Sequence, residues 1–238
     1  MRLRWIPALL GLVAALLVLL AGPGSRMGLW EFRTGFILLR WGGYLGLAAA
    51  VSAILLALIR PQSGGTVPLT LGVLLGLGTA YIPWYWSKQA QRVPPIHDIT
   101  TDPEHPPQFI AVLPLRAGAP NSASYGGPEL AEVQRSAYPD IKPLIMTIGP
   151  DSAYSRALES ARGMGWKIVA ADSTSGRIEA TATTPWFGFK DDIVVRVKPD
   201  AGGSRIDVRS VSRVGKSDVG TNARRIRAYL ADLAGRSS

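Results

Sequence analysis

Three long runs without a charged residue, all within the first 92 positions, limit what this chain can fold into more than any other feature. Trp5 to Ala21 is 17 residues, Trp41 to Ile59 is 19 and Val67 to Trp86 is 20. At about 1.5 Å rise per residue, 19 helical residues span roughly 28 Å, close to the hydrocarbon thickness of a bilayer. Trp5, Trp30, Trp41, Tyr81, Trp84, Tyr85 and Trp86 gather near the ends of the runs, where amphipathic rings favour the headgroup zone. One such run also fits a buried core helix. Three in quick succession, with short polar loops between them, predict a three-helix transmembrane anchor over residues 1–92.

The first run has the opening of a signal peptide, since Arg2 and Arg4 precede the apolar Leu9 to Leu20. No small-x-small cleavage site follows, so an uncleaved helix is expected; cleavage would still leave two spans. Pro83 is expected to kink the third helix without breaking it. Gly72, Gly76 and Gly78 offer a small-residue packing surface, and Gly72-x-x-x-Gly76 has the spacing of a helix-dimer motif. Packing among the three helices of one chain explains it equally well.

Charge follows the same division. The whole chain carries a formal +9, which invites a nucleic-acid reading. Residues 1–92 hold eight Lys or Arg and one acid, Glu31, a balance of +7; residues 93–238 keep only +2. The basic excess therefore flanks the apolar runs, and nucleic acid is not an expected partner. With no Cys there is no disulfide framework, thiolate metal site, Cys nucleophile or lipidated Cys. Two His exclude a His-rich metal site. Orientation is not decided by counting. With the N-terminus inside, Arg2, Arg4 and Arg60 are cytoplasmic, and Arg26, Arg33, Arg40, Lys88 and Arg92 are outside.

Residues 93–143 read as a Pro-rich arm, with a short helix over Glu129 to Ala137. Its apolar residues Ile96, Phe109, Ile110, Val112, Leu113 and Leu115 need cover. From Leu144 the pattern becomes regular: a strand to Ile148, a helix from Gly149-Pro150-Asp151 to about Gly163, then strands at Trp166–Ala171, Arg177–Thr183, Asp192–Lys198 and Ser204–Arg213. A last helix is capped by Ser217 or Asp218. The predicted fold class is an α+β soluble domain, strand–helix–four strands–helix, its antiparallel sheet covered by helices on one face, after three transmembrane helices.

Strand alternation points Ile178, Ala180, Ala182, Ile193, Val195, Val197, Ile206 and Val208 towards those helices. The opposite face carries Arg177, Glu179, Thr181 and Thr183, then Asp192, Arg196 and Lys198, then Arg205, Asp207, Arg209 and Arg213. Mixed signs on neighbouring strands predict cross-strand ion pairs on a solvated face. A ligand or partner surface is the other reading.

Four strings bear a resemblance: Ile96-His97-Asp98-Ile99-Thr100-Thr101-Asp102, Tyr138-Pro139-Asp140, Trp186-Phe187-Gly188-Phe189-Lys190-Asp191-Asp192 and Arg205-Ile206-Asp207-Val208-Arg209-Ser210-Val211-Ser212-Arg213. Over roughly residues 95–234 the chain resembles the bacterial and plastid family of domain of unknown function 1499. The resemblance implies a membrane-tethered or exported domain and no activity. It favours an inner-membrane protein with its N-terminus inside and its soluble domain outside the cytoplasm.

Several constellations bear on chemistry. Gly215-Lys216-Ser217 looks like the end of a phosphate loop, but the required first Gly falls on Ser210, inside a strand, so a helix cap is expected. Lys216 and Arg213 near that helix start are candidates for holding an anion. His97, Asp98, Asp102, Glu104 and His105 are the densest potential ligand cluster. Asp98 and Asp102 also serve as turn formers, and anchoring of the arm is the favoured role. Lys190, Asp191 and Asp192 follow Trp186, Phe187 and Phe189. Adjacent strand residues face opposite ways, so the two acids do not form a dyad.

The expected function is a non-enzymatic binding module at the membrane surface, with the lipid bilayer and an envelope protein as partners, no cofactor, no metal and no catalytic residue. Its candidate ligand-binding residues are His97, Asp98, Asp102, Trp186, Lys190, Asp191, Asp192, Arg209, Arg213 and Lys216. The alternative is a membrane-bound hydrolase or metal-dependent enzyme using the His97/Asp98/Asp102 and Asp191/Asp192 region.

Overall fold

The computed structural model describes residues 2–59 and 66–235. Arg60, used in the topology count, lies outside them. The chain divides into two compact units, Met1–Gln91 with Pro185–Gly188, and Arg92–Thr184 with Phe189–Ser238.

The helical unit contains α1 (Trp5–Arg26), α2 (Phe32–Ile59) and α3 (Val67–Gln91). All three are long and apolar enough to cross a membrane. Helix α2 begins nine residues before the uncharged run at Trp41 and takes in Arg33 and Arg40. Helical hydrogen bonding does not stop at a charge; only the apolar run does.

Small residues are buried and large ones face out. Gly11, Ala14 and Ala21 of α1, Gly42, Gly46, Ala49 and Ala53 of α2, and Gly72 and Gly76 of α3 are buried. Leu9, Leu12, Leu16, Leu47, Ile54, Leu74 and Leu77 are exposed. A helix bundle in water does the reverse, while helices in lipid pack through small residues. A Cβ on Gly72 would meet Pro7 and Ala53, and one on Gly76 would meet the Gly46 carbonyl and Ala50. The Gly72–Gly76 spacing therefore serves packing within this chain. Pro83 sits inside α3 without ending it.

The second unit contains β1 (Asp98–Thr100), α4 (Gly127–Ala137), β2 (Leu144–Met146), α5 (Pro150–Gly163), β3 (Lys167–Asp172), β4 (Arg177–Thr183), β5 (Lys190–Asp200), β6 (Gly203–Ser212) and α6 (Thr221–Gly235). Strands β3 to β6 form the expected antiparallel meander, and β1 and β2 both pair with the outer edge of β6. β1 falls in what was expected to be an extended arm outside the sheet. Strands β5 and β6 are joined through Ala201-Gly202, with Gly202 at φ 82° supplying the left-handed turn.

The predicted apolar face packs against α5 and α6. Ile178, Ile193, Val195, Ile206 and Val208 meet Ala153, Ala157 and Ala161 of α5, and Ala223, Ile226, Tyr229 and Leu233 of α6. Trp166 stacks on Tyr229 at 4.9 Å, and the Tyr229 hydroxyl donates to the Ala157 carbonyl at 2.9 Å.

Most of the opposite face is covered and only its margin, with Thr183 and Lys198, is exposed, which corrects the sequence expectation. Phe109 and Val112 of the arm bury themselves against Val194 and Val211, the two apolar residues that interrupt the charged rows. Glu179, Asp192, Asp207 and Arg209 are fully buried. The ion pairs exist, but beneath a cover.

Candidate functional site

The covered face is built on guanidinium–carboxylate pairs. Arg209 points from β6 into the arm and is 0% exposed. Its Nε and Nη2 donate to Asp98 Oδ1 and Oδ2 at 3.0 and 2.8 Å. Two more of its five N–H groups donate to the Pro107 and Ala123 carbonyls at 3.2 and 2.8 Å. The Phe109 and Tyr125 rings lie 5.1 and 5.4 Å from its guanidinium carbon. Burial pushes the Asp98 carboxyl up, against the pull of Arg209. It also pushes the Tyr125 phenol up to about 12.

Asp192 on β5 is served by two arginines. It accepts from Arg116 Nη1 at 2.6 Å, from Arg213 Nε and Nη2 at 2.9 and 2.8 Å, and from the Thr181 hydroxyl at 2.7 Å. Burial raises this carboxyl, but the hydrogen bonds from Arg213, Thr181 and Arg116 outweigh it and hold the group below the usual carboxylate range. Arg213 also donates to the Leu115 carbonyl at 2.7 Å. Asp102 joins Arg196 and Arg205 at 2.9 and 3.0 Å; both arginines also bind Asp207.

Glu179 has a role that sequence reading missed. Its two carboxylate oxygens accept the backbone N–H groups of Ile110, Ala111 and Val112 at 3.0–3.1 Å, and Arg177 Nε lies 3.1 Å away. The carboxylate fills the concavity of successive amides that opens the turn at Ile110. The available signal was Val194 and Val211. An apolar side chain amid a charged row has no reason to face water.

The remaining candidates are dispersed. Asp191 faces the helix side, as period-two alternation requires, and binds Arg225 at 2.6 Å. Arg225 continues through Asn222 and Ser210 to the start of α6. His97 Nδ1 lies 3.3 Å from the Lys216 carbonyl, and its own carbonyl accepts from Ser212 and Asn222. Asp98, Asp102 and Glu104 go to Arg209, to Arg196 with Arg205, and to Arg135 respectively. Among the described residues no three His, Asp or Glu are grouped as a metal ion would need. Lys190 and Lys216 are exposed. Trp186 belongs to the helical unit, lying over Gly22, while Phe187 lies 5.0 Å from Phe36. The α6 cap is Asp218, which accepts from Gly220 and Asn222 at 2.7 Å each. A shallow, open depression lies between Trp166, Thr183, Thr221 and Arg224.

Fold and site together define an α+β domain whose sheet is covered by helices on one face and by an ion-paired arm on the other, in a chain with three long apolar helices. Residues 98–233, more than half the chain, match the family described as Protein of unknown function (DUF1499), and the chain belongs to that family. No curated protein matches it.

Proposed function

We propose that this is a multi-pass protein of the bacterial inner membrane, with its N-terminus inside and its second unit outside the cytoplasm. The second unit acts there as a non-enzymatic module that binds an envelope protein. Large apolar residues facing outward around a small-residue interior support the membrane reading.

The observation that carries the binding reading is how the acids are used. Asp98, Asp102, Asp191 and Asp192 are the carboxylates a hydrolase would draw on, and each is paired with arginine at 2.6–3.0 Å. The arginine hydrogen bonds occupy carboxylate oxygens that a base would need free to take a proton from a substrate. Three of the four fasten the arm or its cover rather than line an open cleft.

Three measurements test the proposal. A phosphatase fused after Ser238 is expected to be active; activity only of a fluorescent reporter that needs the cytoplasm overturns the orientation. Photo-crosslinking from the second unit in intact membranes is expected to yield one discrete protein adduct. Turnover of ester substrates that disappears in His97→Ala overturns the non-enzymatic reading.

A further inference from the structure

The arm presents an apolar surface whose single charge is turned inward. Between His105 and Glu129 the only charged residue is Arg116, and it is 6% exposed because it reaches Asp192. Within that segment, the turn from Ile110 to Pro120 shows to solvent Ile110, Leu113, Pro114, Leu115, Ala117, Gly118 and Pro120, while the exposed polar residues Gln108, Ser122 and Ser124 lie outside that turn. Ile110, Leu113 and Leu115 are 55, 45 and 54% exposed. This turn is firmly held. Glu179 holds its first three amides, Arg116 pins its last turn, and the Leu115 carbonyl takes a hydrogen bond from Arg213. A stiff loop with every exposed side chain apolar is costly to keep in water.

Its place in the second unit says what covers it. Leu115 is bonded to Arg213, and Arg213 N–H donates to the Lys190 carbonyl at 3.0 Å. Lys190 opens β5 directly after Phe189, and the preceding residues Pro185–Gly188 are part of the helical unit. Leu115 therefore lies at the end of the sheet where β5 begins, two residues along the chain from Gly188. Exposed Lys190 and Lys216 are at the same end, and Asp192 answers only one of the two charges on Arg116 and Arg213. Apolar side chains rimmed by cations suit the interface of a bilayer containing anionic lipid.

We propose that the Ile110–Pro120 turn dips into the bilayer surface, with Leu113 and Leu115 as its anchors. This rests on the membrane reading above.

The chain has no Cys, so single labels are clean. The full chain is reconstituted in phosphatidylcholine–phosphatidylglycerol vesicles, with an environment-sensitive fluorophore on L115C, on L47C of α2, or on I145C of β2. Ile145 is equally exposed but pairs with Arg205, about 27 Å along β6 from Arg213 at 3.4 Å per residue. Lipids carrying a shallow nitroxide are expected to remove most of the L115C emission and to leave I145C unchanged. Quenching at L47C without quenching at L115C overturns the proposal and leaves the membrane reading standing. No quenching at L47C, by the shallow nitroxide or by one placed deep in the acyl chain, overturns both. A shielded but unquenched L115C label means a protein covers the turn, and equal quenching at L115C and I145C means the turn is no anchor; either result overturns the proposal.

Discussion

The Asp98 carboxylate and the Arg209 guanidinium meet in parallel, at 3.0 and 2.8 Å, with the aspartate on a three-residue edge strand and the arginine in the middle of β6. They are 111 residues apart in sequence. The pair joins the start of the arm to the sheet, and the Phe109 and Tyr125 rings close over it. Such a pair gives its energy back when only one partner is removed. Asp98→Ala leaves a fully buried guanidinium without its anion and is expected to destabilise the second unit by about 3–5 kcal/mol. The double variant Asp98→Leu, Arg209→Met removes both desolvation costs and is expected to lose less than either single change. Urea unfolding of the detergent-solubilised chain measures this; additive losses would mean that the pair is not coupled.

Glu179 holds three backbone amides beside its ion pair with Arg177, so its loss has a local signature at those amides. Glu179→Gln keeps the shape but offers one acceptor oxygen where two now take N–H groups from Ile110, Ala111 and Val112. An unsatisfied buried amide costs about 1–3 kcal/mol, or roughly a 5- to 150-fold rise in local opening. Hydrogen exchange at these three amides is expected to accelerate by that order. Exchange in α5 and α6 is expected to stay as it is. Uniform acceleration across the unit would show that Glu179 supports the whole fold instead.

Asp192 makes the closure of the arm sensitive to acid. Its carboxyl sits below the ordinary range, so the folded state holds its proton less tightly than the unfolded chain does. The stability this contributes is complete above the unfolded value of about 3.9 and is lost as pH falls through the lower folded value. Wild type is expected to release the arm progressively below about pH 4. Asp192→Asn is expected to be less stable at neutral pH, because Arg116 and Arg213 lose their shared anion. Its further decline on acidification should be shallower. Limited proteolysis in the Asn121–Tyr125 loop against pH follows the release, and parallel curves for the two proteins would rule out Asp192 as the source.

Much of this architecture was legible in the chain. The apolar runs marked the three helices because an uncharged stretch of that length has few other uses. Strict alternation through Arg177–Thr183 and Ile193–Val197 separated the two sheet faces, and the family strings marked the domain. The arm's cover was not legible, because alternation says that a residue faces away from the helices but not what it faces. Glu179 was invisible for a further reason. Besides Arg177, its partners are amides 67–69 positions away, and backbone groups leave no trace in residue identity. The ten residues singled out as ligand candidates did carry a signal. The signal for Asp98, Asp102, Asp192, Arg209 and Arg213 was that of ion pairs holding an arm in place.

The helical unit makes its own prediction, because its helices meet closely at glycine. A Cβ on Gly46 would press on the Thr79 hydroxyl and the Gly76 carbonyl, and one on Gly76 would press on the Gly46 carbonyl and the Ala50 amide. Apart from the Thr79 hydroxyl, those contacts are with backbone, which cannot swing aside as a flexible side chain would. Gly46→Leu or Gly76→Leu must push α2 and α3 apart, with an overpacking cost of about 1–3 kcal/mol or more. Leu47→Ala, one position from Gly46 but exposed, removes only surface that meets solvent or lipid. Thermal unfolding of the full chain in detergent is therefore expected to fall clearly for the two glycine variants and hardly at all for Leu47→Ala. The reverse order, with Leu47→Ala the more damaging, would mean that Leu47 and not the Gly46–Gly76 contact lies inside the bundle.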